Sequence, residues 1–278
     1  MFPLPFQFTA YSLASLKAQI SIDSIVLSHI PTVVIPLAFA IFLYWHTKKI
    51  STLYLLFATI AFSLWTYFDL ITWTSFGVQN SLMFSWSILD IFSTLFIVFA
   101  YWFFYSFIKG ADLPLWQKLG SLCFLIPPLV YTALSINLSE FFNSYGVAIE
   151  NDYTASYSVL ISVIFLLAII VITTAEYRKT QEATEKTKKL FAGFATGIFL
   201  SIFSISYAIT NLLLFLSNGQ NQEAYNVSIY ALFSMPFLTG VLAYLVVKYE
   251  AFNIKVIKSI VYTLICMAIL FVNIFLPY

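Results

Sequence analysis

The sequence predicts an all-α, polytopic bundle of seven transmembrane helices, followed by an eighth apolar segment at its C-terminal end. Composition gives the first indication: 61% of the 278 residues are hydrophobic and only 9% are charged, whereas about 25% of a soluble domain is charged. The second indication is a succession of apolar runs, each near the roughly 20 residues that cross a bilayer as a helix. The third is the gathering of Lys and Arg in alternate connections between these runs.

The apolar runs define the predicted helices and the domain organisation. The seven runs cover residues 23–46, 50–73, 81–108, 119–137, 155–176, 190–217 and 226–248. We assign 23–248 to a seven-helix transmembrane domain and 1–22 to an extracytoplasmic N-terminal segment. Residues 249–258 are predicted to form a cytoplasmic juxtamembrane junction. Residues 259–278 form the eighth segment, which either crosses the membrane or lies at its interface.

Positively charged residues segregate to one side of the predicted bundle. Lys17 stands alone on the side of the N-terminus, and the other twelve of the 13 Lys and Arg residues fall on the opposite side. These twelve are Lys48, Lys49, Lys109, Lys118, Arg178, Lys179, Lys186, Lys188, Lys189, Lys248, Lys255 and Lys258. Because Lys and Arg are enriched in cytoplasmic loops, the pattern predicts a multi-pass protein of the cell membrane whose N-terminus lies outside. The lipid bilayer is its first predicted partner.

One of these connections, residues 176–189, holds the largest charge cluster. Glu182 with Lys186 and Glu185 with Lys189 are spaced for i, i+4 ion pairs on a helix, each worth a few tenths of a kcal/mol. The segment therefore predicts a solvated helical extension, and a site for partner docking is the alternative.

Three titratable residues fall inside predicted helices near their outer ends: His29, Asp69 and Asp90. A charged side chain inside a bilayer costs roughly 2.5–3.5 kcal/mol or more, so each is a candidate functional group. Trp65 precedes Asp69 by four residues and Trp86 precedes Asp90 by four, which puts each pair on one helix face. The five residues predict an outer-leaflet pocket that binds a small polar ligand or responds to protons. The alternative is that hydroxyls, water or neighbouring helices satisfy each group, which then serves packing alone.

Small residues recur every four positions on the sixth predicted helix, at Gly193, Gly197 and Ser201. Such a stripe lets another helix approach closely. Packing inside the bundle is the favoured interpretation, and a homodimer seam is the alternative. Pro127 and Pro128 predict a kink in the fourth helix, because proline has no N–H to donate to a helical carbonyl.

The sequence motifs of nucleotide-binding and metal-dependent enzymes are absent. No phosphate-binding loop, dinucleotide-binding glycine pattern or metal-ligand spacing occurs in the chain. The net charge of +1 gives no basic field for nucleic acid. We therefore expect no catalytic residues, no cofactor, no bound metal and no nucleic-acid partner.

A more specific pattern follows the seventh predicted helix. It is carried by Lys248, Tyr249, Phe252, Asn253, Ile254, Val256, Ile257 and Lys258. This junction resembles the end of the N-terminal seven-helix sensor region of bacterial membrane histidine kinases, although that family more often has Asp where this chain has Asn253. The resemblance implies a sensory input module of a two-component system, with no catalytic domain of its own. It would act on cytoplasmic kinase domains in the same or a partner chain.

Two alternatives stand beside the sensory interpretation. One is a small transporter or permease-like protein that uses the outer pocket as a substrate site, and the other is a membrane scaffold that associates through the sixth helix. The end of the chain inside an apolar run favours a fragment of a longer kinase, and a stand-alone membrane protein is the alternative. If residues 259–278 cross the membrane, however, kinase domains that follow them would be separated from cytoplasmic ATP.

Overall fold

The computed structural model describes residues 14–74, 79–142, 147–150, 152–216, 227 and 231–249. Its α-helices are α1 (Ala14–Thr47), α2 (Ile50–Thr74), α3 (Gln79–Lys109), α4 (Leu115–Leu122), α5 (Ile126–Ala133), α6 (Asp152–Lys179), α7 (Ala183–Leu216) and α8 (Ser234–Tyr249). A 3-10 turn, Cys123–Leu125, lies between α4 and α5. Strands β1 (Leu138–Phe142) and β2 (Val147–Glu150) form a short antiparallel hairpin before α6.

Five of the helices are long and apolar enough to cross a membrane. The candidate spans within the described residues are His29–Thr47, Ile50–Thr72, Met83–Lys109, Ser156–Lys179 and Ala183–Thr210. Large apolar side chains such as Leu160, Leu167 and Val171 of α6 are exposed on the outside of the bundle, where lipid rather than water suits them. The prediction of a helical, membrane-embedded protein is confirmed, and the count of seven crossings stays a prediction.

The fourth apolar run differs from its prediction as a single helix over 119–137. It forms α4, the 3-10 turn and α5, and neither helix alone has the length of a span. Trp102 of α3 donates to the Ser121 hydroxyl at 2.7 Å, and the Thr132 hydroxyl donates to the Ser87 carbonyl at 2.9 Å. The segment therefore runs antiparallel to α3 from residue 102 back to residue 87, a length of about 22 Å at 1.5 Å per residue.

The break in this run follows from the two consecutive prolines. Because Pro127 and Pro128 have no N–H, the carbonyls four residues earlier, of Cys123 and Phe124, lose their helical donors. The Ile126 amide donates to the Cys123 carbonyl in the 3-10 turn, and the Tyr157 hydroxyl of α6 donates to the Phe124 carbonyl at 2.7 Å. Both carbonyls are thus hydrogen-bonded, as apolar surroundings require.

Helix α3 lies at the centre of the bundle. About two-thirds (67%) of its apolar stretch is buried, against 28% for the apolar stretches of α1 and α6. Its Phe96 ring packs against Phe62 of α2 with a centroid distance of 5.4 Å and against Phe203 of α7 at 4.6 Å. These aromatic contacts pack α2, α3 and α7 against one another and fix which polar side chains can meet.

Two helices begin earlier than the apolar runs indicate. Helix α1 starts at Ala14 instead of residue 23, and α7 starts at Ala183 instead of residue 190. The added residues are mostly Ala, Leu, Lys, Gln and Glu, which favour helix regardless of whether they face lipid or water. The seventh predicted helix, 226–248, is described as α8 from Ser234 to Tyr249.

Several predicted features lie outside the described residues. They are the first part of the N-terminal segment, the junction residues Phe252, Asn253, Ile254 and Val256, and the eighth segment 259–278. Lys248 and Tyr249 form the last turn of α8.

Contacts between residues near the helix ends show which ends of the helices lie together at the two ends of the bundle. At the first, which we call the basic end, Lys109 at the close of α3 meets Glu176 near the close of α6, and Tyr54 near the start of α2 meets Asp112 after α3. At the opposite end, His29 of α1 meets Asp69 of α2. Helices α1 to α3 therefore alternate in direction, as the distribution of cations predicts.

The turn between α1 and α2 at the basic end holds an unusual backbone conformation. Lys48 has a φ of +54°, in the left-handed region that L-residues other than glycine rarely adopt. Its N–H donates to the Tyr44 carbonyl at 2.9 Å, and the hydroxyls of Thr47 and Thr52 hydrogen-bond across the turn at 2.7 Å. These bonds hold Lys48 in its strained position.

Candidate functional site

His29 and Asp69 form a pair between α1 and α2, in which His29 is buried and Asp69 is partly buried. The His29 ring nitrogen Nε2 lies 3.0 Å from Asp69 Oδ2 and donates to it. The His29 side chain is 2% exposed and that of Asp69 is 17% exposed. A hydrogen bond to a charged acceptor in a poorly solvated place is worth about 1.5–3 kcal/mol. The pair therefore ties α1 to α2 at the end of the bundle opposite the cations.

Asp90 forms a second connection, between α3 and α7. The Tyr207 hydroxyl donates to Asp90 Oδ1 at 3.2 Å, and Asp90 is 4% exposed. Tyr207 was not among the predicted site residues. It lies in a long apolar run, and nothing in the sequence indicates which face of α7 meets α3.

The two pairs lie at nearly the same depth on neighbouring helices. Phe68 of α2 stacks on Phe92 of α3 with a centroid distance of 5.4 Å and an interplanar angle of 11°. Asp69 follows Phe68 directly, and Asp90 precedes Phe92 by two residues. Both aspartates therefore lie within about one helical turn of this ring contact. We call His29, Asp69, Asp90 and Tyr207 the polar network.

The predicted tryptophans occupy different places around this network. Trp65 is buried and packs edge-on against Phe203 at 5.1 Å, and Phe203 in turn stacks with Tyr207 at 6.2 Å. Trp65 of α2, the helix that carries Asp69, therefore contacts Tyr207, the hydrogen-bond partner of Asp90, through the Phe203 ring. Trp86, one turn before Asp90 on α3, is half-buried.

The hydrogen bonds of the polar network depend on the protonation of its side chains. Protonation of the His29 imidazole would convert its bond with Asp69 into an ion pair, which strengthens the attraction in a low-dielectric interior. Protonation of Asp90 would remove the charge that its hydroxyl partner stabilises. Within the described part of the chain, no group of three or more His, Cys, Asp and Glu side chains could hold a metal ion.

At the basic end, Glu176 of α6 forms ion pairs with lysine side chains from two other helices. Lys109 of α3 donates to Glu176 Oε1 at 2.6 Å, and Lys189 of α7 donates to Oε2 at 3.2 Å. We call these three residues the ion cluster. Lys189 also donates to the Thr180 hydroxyl at 3.1 Å. Glu176 is only 11% exposed, so these bonds are screened less than surface ion pairs.

The ion cluster corrects one prediction for residues 176–189. Lys189 bonds to Glu176 instead of Glu185, and Glu185 bonds to Lys188 at 2.7 Å. The physical reason is burial: the Glu185 side chain is 42% exposed, whereas Glu176 is 11% exposed and attracts the lysine more strongly. Residues 176–189 consequently link α6 to α7 through the bond between Glu176 and Lys189. Helix α6 ends at Lys179.

A second polar cluster fixes the connection between α3 and α4. Asp112 accepts hydrogen bonds from Lys118 at 2.6 Å, from the Tyr54 hydroxyl at 2.6 Å and from the Leu113 amide at 2.8 Å. Burial alone would raise the pKa of Asp112, but the bonds from Lys118, Tyr54 and Leu113 outweigh it and hold that pKa below its usual value. The bond to Asp112 correspondingly raises the pKa of Lys118.

No protein-family model, curated protein or solved structure matches this chain. The resemblance at the junction therefore depends on the residues that carry it, and the function must be argued from the site.

The small residues of α7 pack against α6. A Cβ on Gly193 would collide with the side chain of Thr173, and a Cβ on Gly197 would lie 3.5 Å from Leu166 Cδ1. The Ser201 hydroxyl donates to the Gly197 carbonyl on its own helix at 2.8 Å. Among the described residues, the buried Thr173 hydroxyl has no hydrogen-bond partner, which leaves it with a desolvation cost of about 1–3 kcal/mol.

Proposed function

We propose that this chain is the membrane-embedded sensory input module of a histidine-kinase-like signalling protein, with no catalytic activity of its own. The polar network would receive the stimulus at one end of the bundle, and the basic end would transmit it. The observation that carries the proposal is a set of titratable groups bonded to each other between helices, His29 with Asp69 and Asp90 with Tyr207, in which His29 and Asp90 are buried. Buried ionisable groups are costly in a membrane and mark functional sites.

The membrane topology belongs to the same proposal. Seven crossings with the N-terminus outside would put the polar network near the outer leaflet of the cell membrane and the basic end at the cytoplasm. The junction 249–258 would then lie on the cytoplasmic side, where Lys248 and Lys255 are attracted to anionic lipid at about 1 kcal/mol each. Kinase domains in the same or a partner chain, in a homodimer, would take up the signal there.

Protons are the first stimulus to test, because the polar network contains an imidazole bonded to a carboxylate between two helices. The experiment fuses residues 1–258 to the cytoplasmic domains of a membrane histidine kinase and measures autophosphorylation in cells at external pH values from 8 to 5. We expect activity to change with pH, and His29→Gln and Asp69→Asn to abolish the change.

The chain offers a matched control in its second histidine. His46 lies at the basic end, where its Nδ1 bonds to the Phe42 carbonyl of its own helix at 2.9 Å. His46→Gln should leave the pH response intact, so an equal loss in both histidine variants would contradict the proposal. Phe252→Ala with Ile254→Ala should uncouple the response, and an unchanged response would exclude the junction as the output.

Transport is the outcome that would replace the sensory proposal. Proteoliposomes with an imposed pH gradient should show no accumulation of labelled amino acids, sugars or organic cations. Uptake that requires Asp69 and Asp90 would assign the polar network to a permease.

A further inference from the structure

Helices α3 and α7 are joined at two widely separated points. Near the opposite end, Asp90 of α3 accepts from Tyr207 of α7 at 3.2 Å. At the basic end, Lys109 of α3 and Lys189 of α7 share Glu176 of α6, at 2.6 Å and 3.2 Å. Both helices are continuous between their two points of attachment.

The two attachments on α7 are mechanically connected. Lys189 and Tyr207 are 18 positions apart on one uninterrupted helix, a distance of about 27 Å. A helix of this length transmits a shift or rotation from one end to the other, since its backbone hydrogen bonds keep it rigid. A change at the Asp90–Tyr207 bond therefore acts on the position of Lys189.

The contact just inside the ion cluster is poorly suited to hold α7 by itself. Gly193, one turn from Lys189, presents no side chain, and Thr173, one turn from Glu176, faces it with a buried hydroxyl that has no partner among the described residues. Separation of α7 from α6 would let water reach this hydroxyl, which favours the open arrangement. The ion cluster supplies the opposing attraction.

From these observations we propose that Lys109, Glu176 and Lys189 form an ionic latch that holds the basic end of α7 against α3 and α6, and that the Asp90–Tyr207 bond controls the latch. The inference deepens the proposed function, because it names α7 as the element that carries the signal. The latch itself can be tested without any kinase domain.

The test measures how easily water-soluble reagents reach the space behind the latch. Thr173→Cys is introduced into the full chain, in which Cys123 and Cys266 are replaced by alanine, and the protein is reconstituted in nanodiscs that leave both faces accessible. The measured quantity is the rate of labelling by a membrane-impermeant maleimide. Glu176→Gln should raise this rate by about tenfold or more, because loss of charge-assisted bonds shifts the opening equilibrium by that much.

Glu185→Gln is the matched control. It removes the same charge from the same basic region, but Glu185 bonds to Lys188 within α7 and joins no second helix. Its labelling rate should stay within about twofold of the parent, as expected for an exposed pair. Equal rates in the parent and in Glu176→Gln would overturn the latch, as would an equal rise in Glu185→Gln.

Lys189→Gln guards against a folding defect in Glu176→Gln, since it leaves the Lys109–Glu176 bond in place. It should also raise labelling while the protein elutes as a single species, and failure to do so would exclude α7 as the latched helix. Raising the salt concentration should increase labelling of the parent and have little effect on Glu176→Gln, because salt screens partly exposed ion pairs.

The control of the latch by the polar network has its own test. Tyr207→Phe removes one hydroxyl about 27 Å along α7 from Lys189. It should raise the rate at which the maleimide labels Thr173→Cys. Tyr101→Phe makes the same chemical change on α3, where the Tyr101 ring packs against Phe165 of α6, and should have no such effect. Unchanged labelling in Tyr207→Phe, with an open latch in Glu176→Gln, would overturn the coupling.

Discussion

Gly193→Ala should destabilise the protein, although alanine ordinarily strengthens a helix. The new Cβ would occupy the space of the Thr173 hydroxyl and methyl groups on α6. Overpacking of this kind costs about 1–3 kcal/mol, whereas replacing glycine by alanine inside a helix returns roughly 0.5–1 kcal/mol. From the middle of each range, the net loss in unfolding free energy should be about 1 kcal/mol.

Gly197→Ala, one turn further along the same helix, provides the comparison. Its Cβ would meet Leu166 Cδ1 at 3.5 Å, an ordinary van der Waals distance, so the helix gain should remain and the variant should match or exceed the parent in stability. Unfolding of each variant in mixed detergent micelles, followed by circular dichroism, gives the two free energies. Equal values for Gly193→Ala and Gly197→Ala would refute the close approach of α6 and α7. Thr173→Ala should restore stability to Gly193→Ala, because it vacates the space.

Three further predictions concern the basic end. Lys48→Gly should raise the unfolding free energy by about 0.5–1 kcal/mol, since glycine adopts the left-handed conformation without steric cost. Gly110→Ala should lower the unfolding free energy by a similar amount, because Gly110 has a φ of +65°. A Cβ at Gly110 would meet no other atom, so the backbone conformation alone accounts for this loss. Asp112 has a lowered pKa in the folded protein, so its ionised form contributes stability above the ordinary Asp pKa of about 4. That contribution should disappear as the pH falls through the lower folded pKa, in thermal unfolding measured from pH 6 to pH 2, and Asp112→Asn should lose this part of the acid sensitivity.

The long helices could be predicted from the sequence because lipid imposes a simple rule on length and composition. Five of the seven apolar runs give helices that satisfy this rule within the described residues. The helix starts were missed because Ala14 and Ala183 begin polar stretches that are nonetheless good helix formers. The kink expected at Pro127 and Pro128 is present as a change from α-helix to 3-10 turn just before them.

The site was less predictable, because partners depend on how each helix is rotated about its axis. His29, Asp69 and Asp90 stood out as ionisable groups in apolar surroundings. Their contacts could not be foreseen, since Asp90 meets Tyr207 at a sequence separation of 117 residues. The sequence predicts that Glu176 lies on a solvated extension. In the structure Glu176 is 11% exposed, because α3, α6 and α7 pack together around it, and this burial lets it bind Lys109 and Lys189.

The proline pair in the fourth apolar run has a consequence for how the chain enters the bilayer. The Phe124 carbonyl receives its hydrogen bond from Tyr157, 33 residues later in the sequence. During synthesis, α4 and α5 are therefore made before the side chain that completes them, and a bare carbonyl in hydrocarbon is unfavourable by several kcal/mol. This carbonyl receives its hydrogen bond only once α6 packs beside the segment, so we expect α4, α5 and α6 to insert into the lipid together.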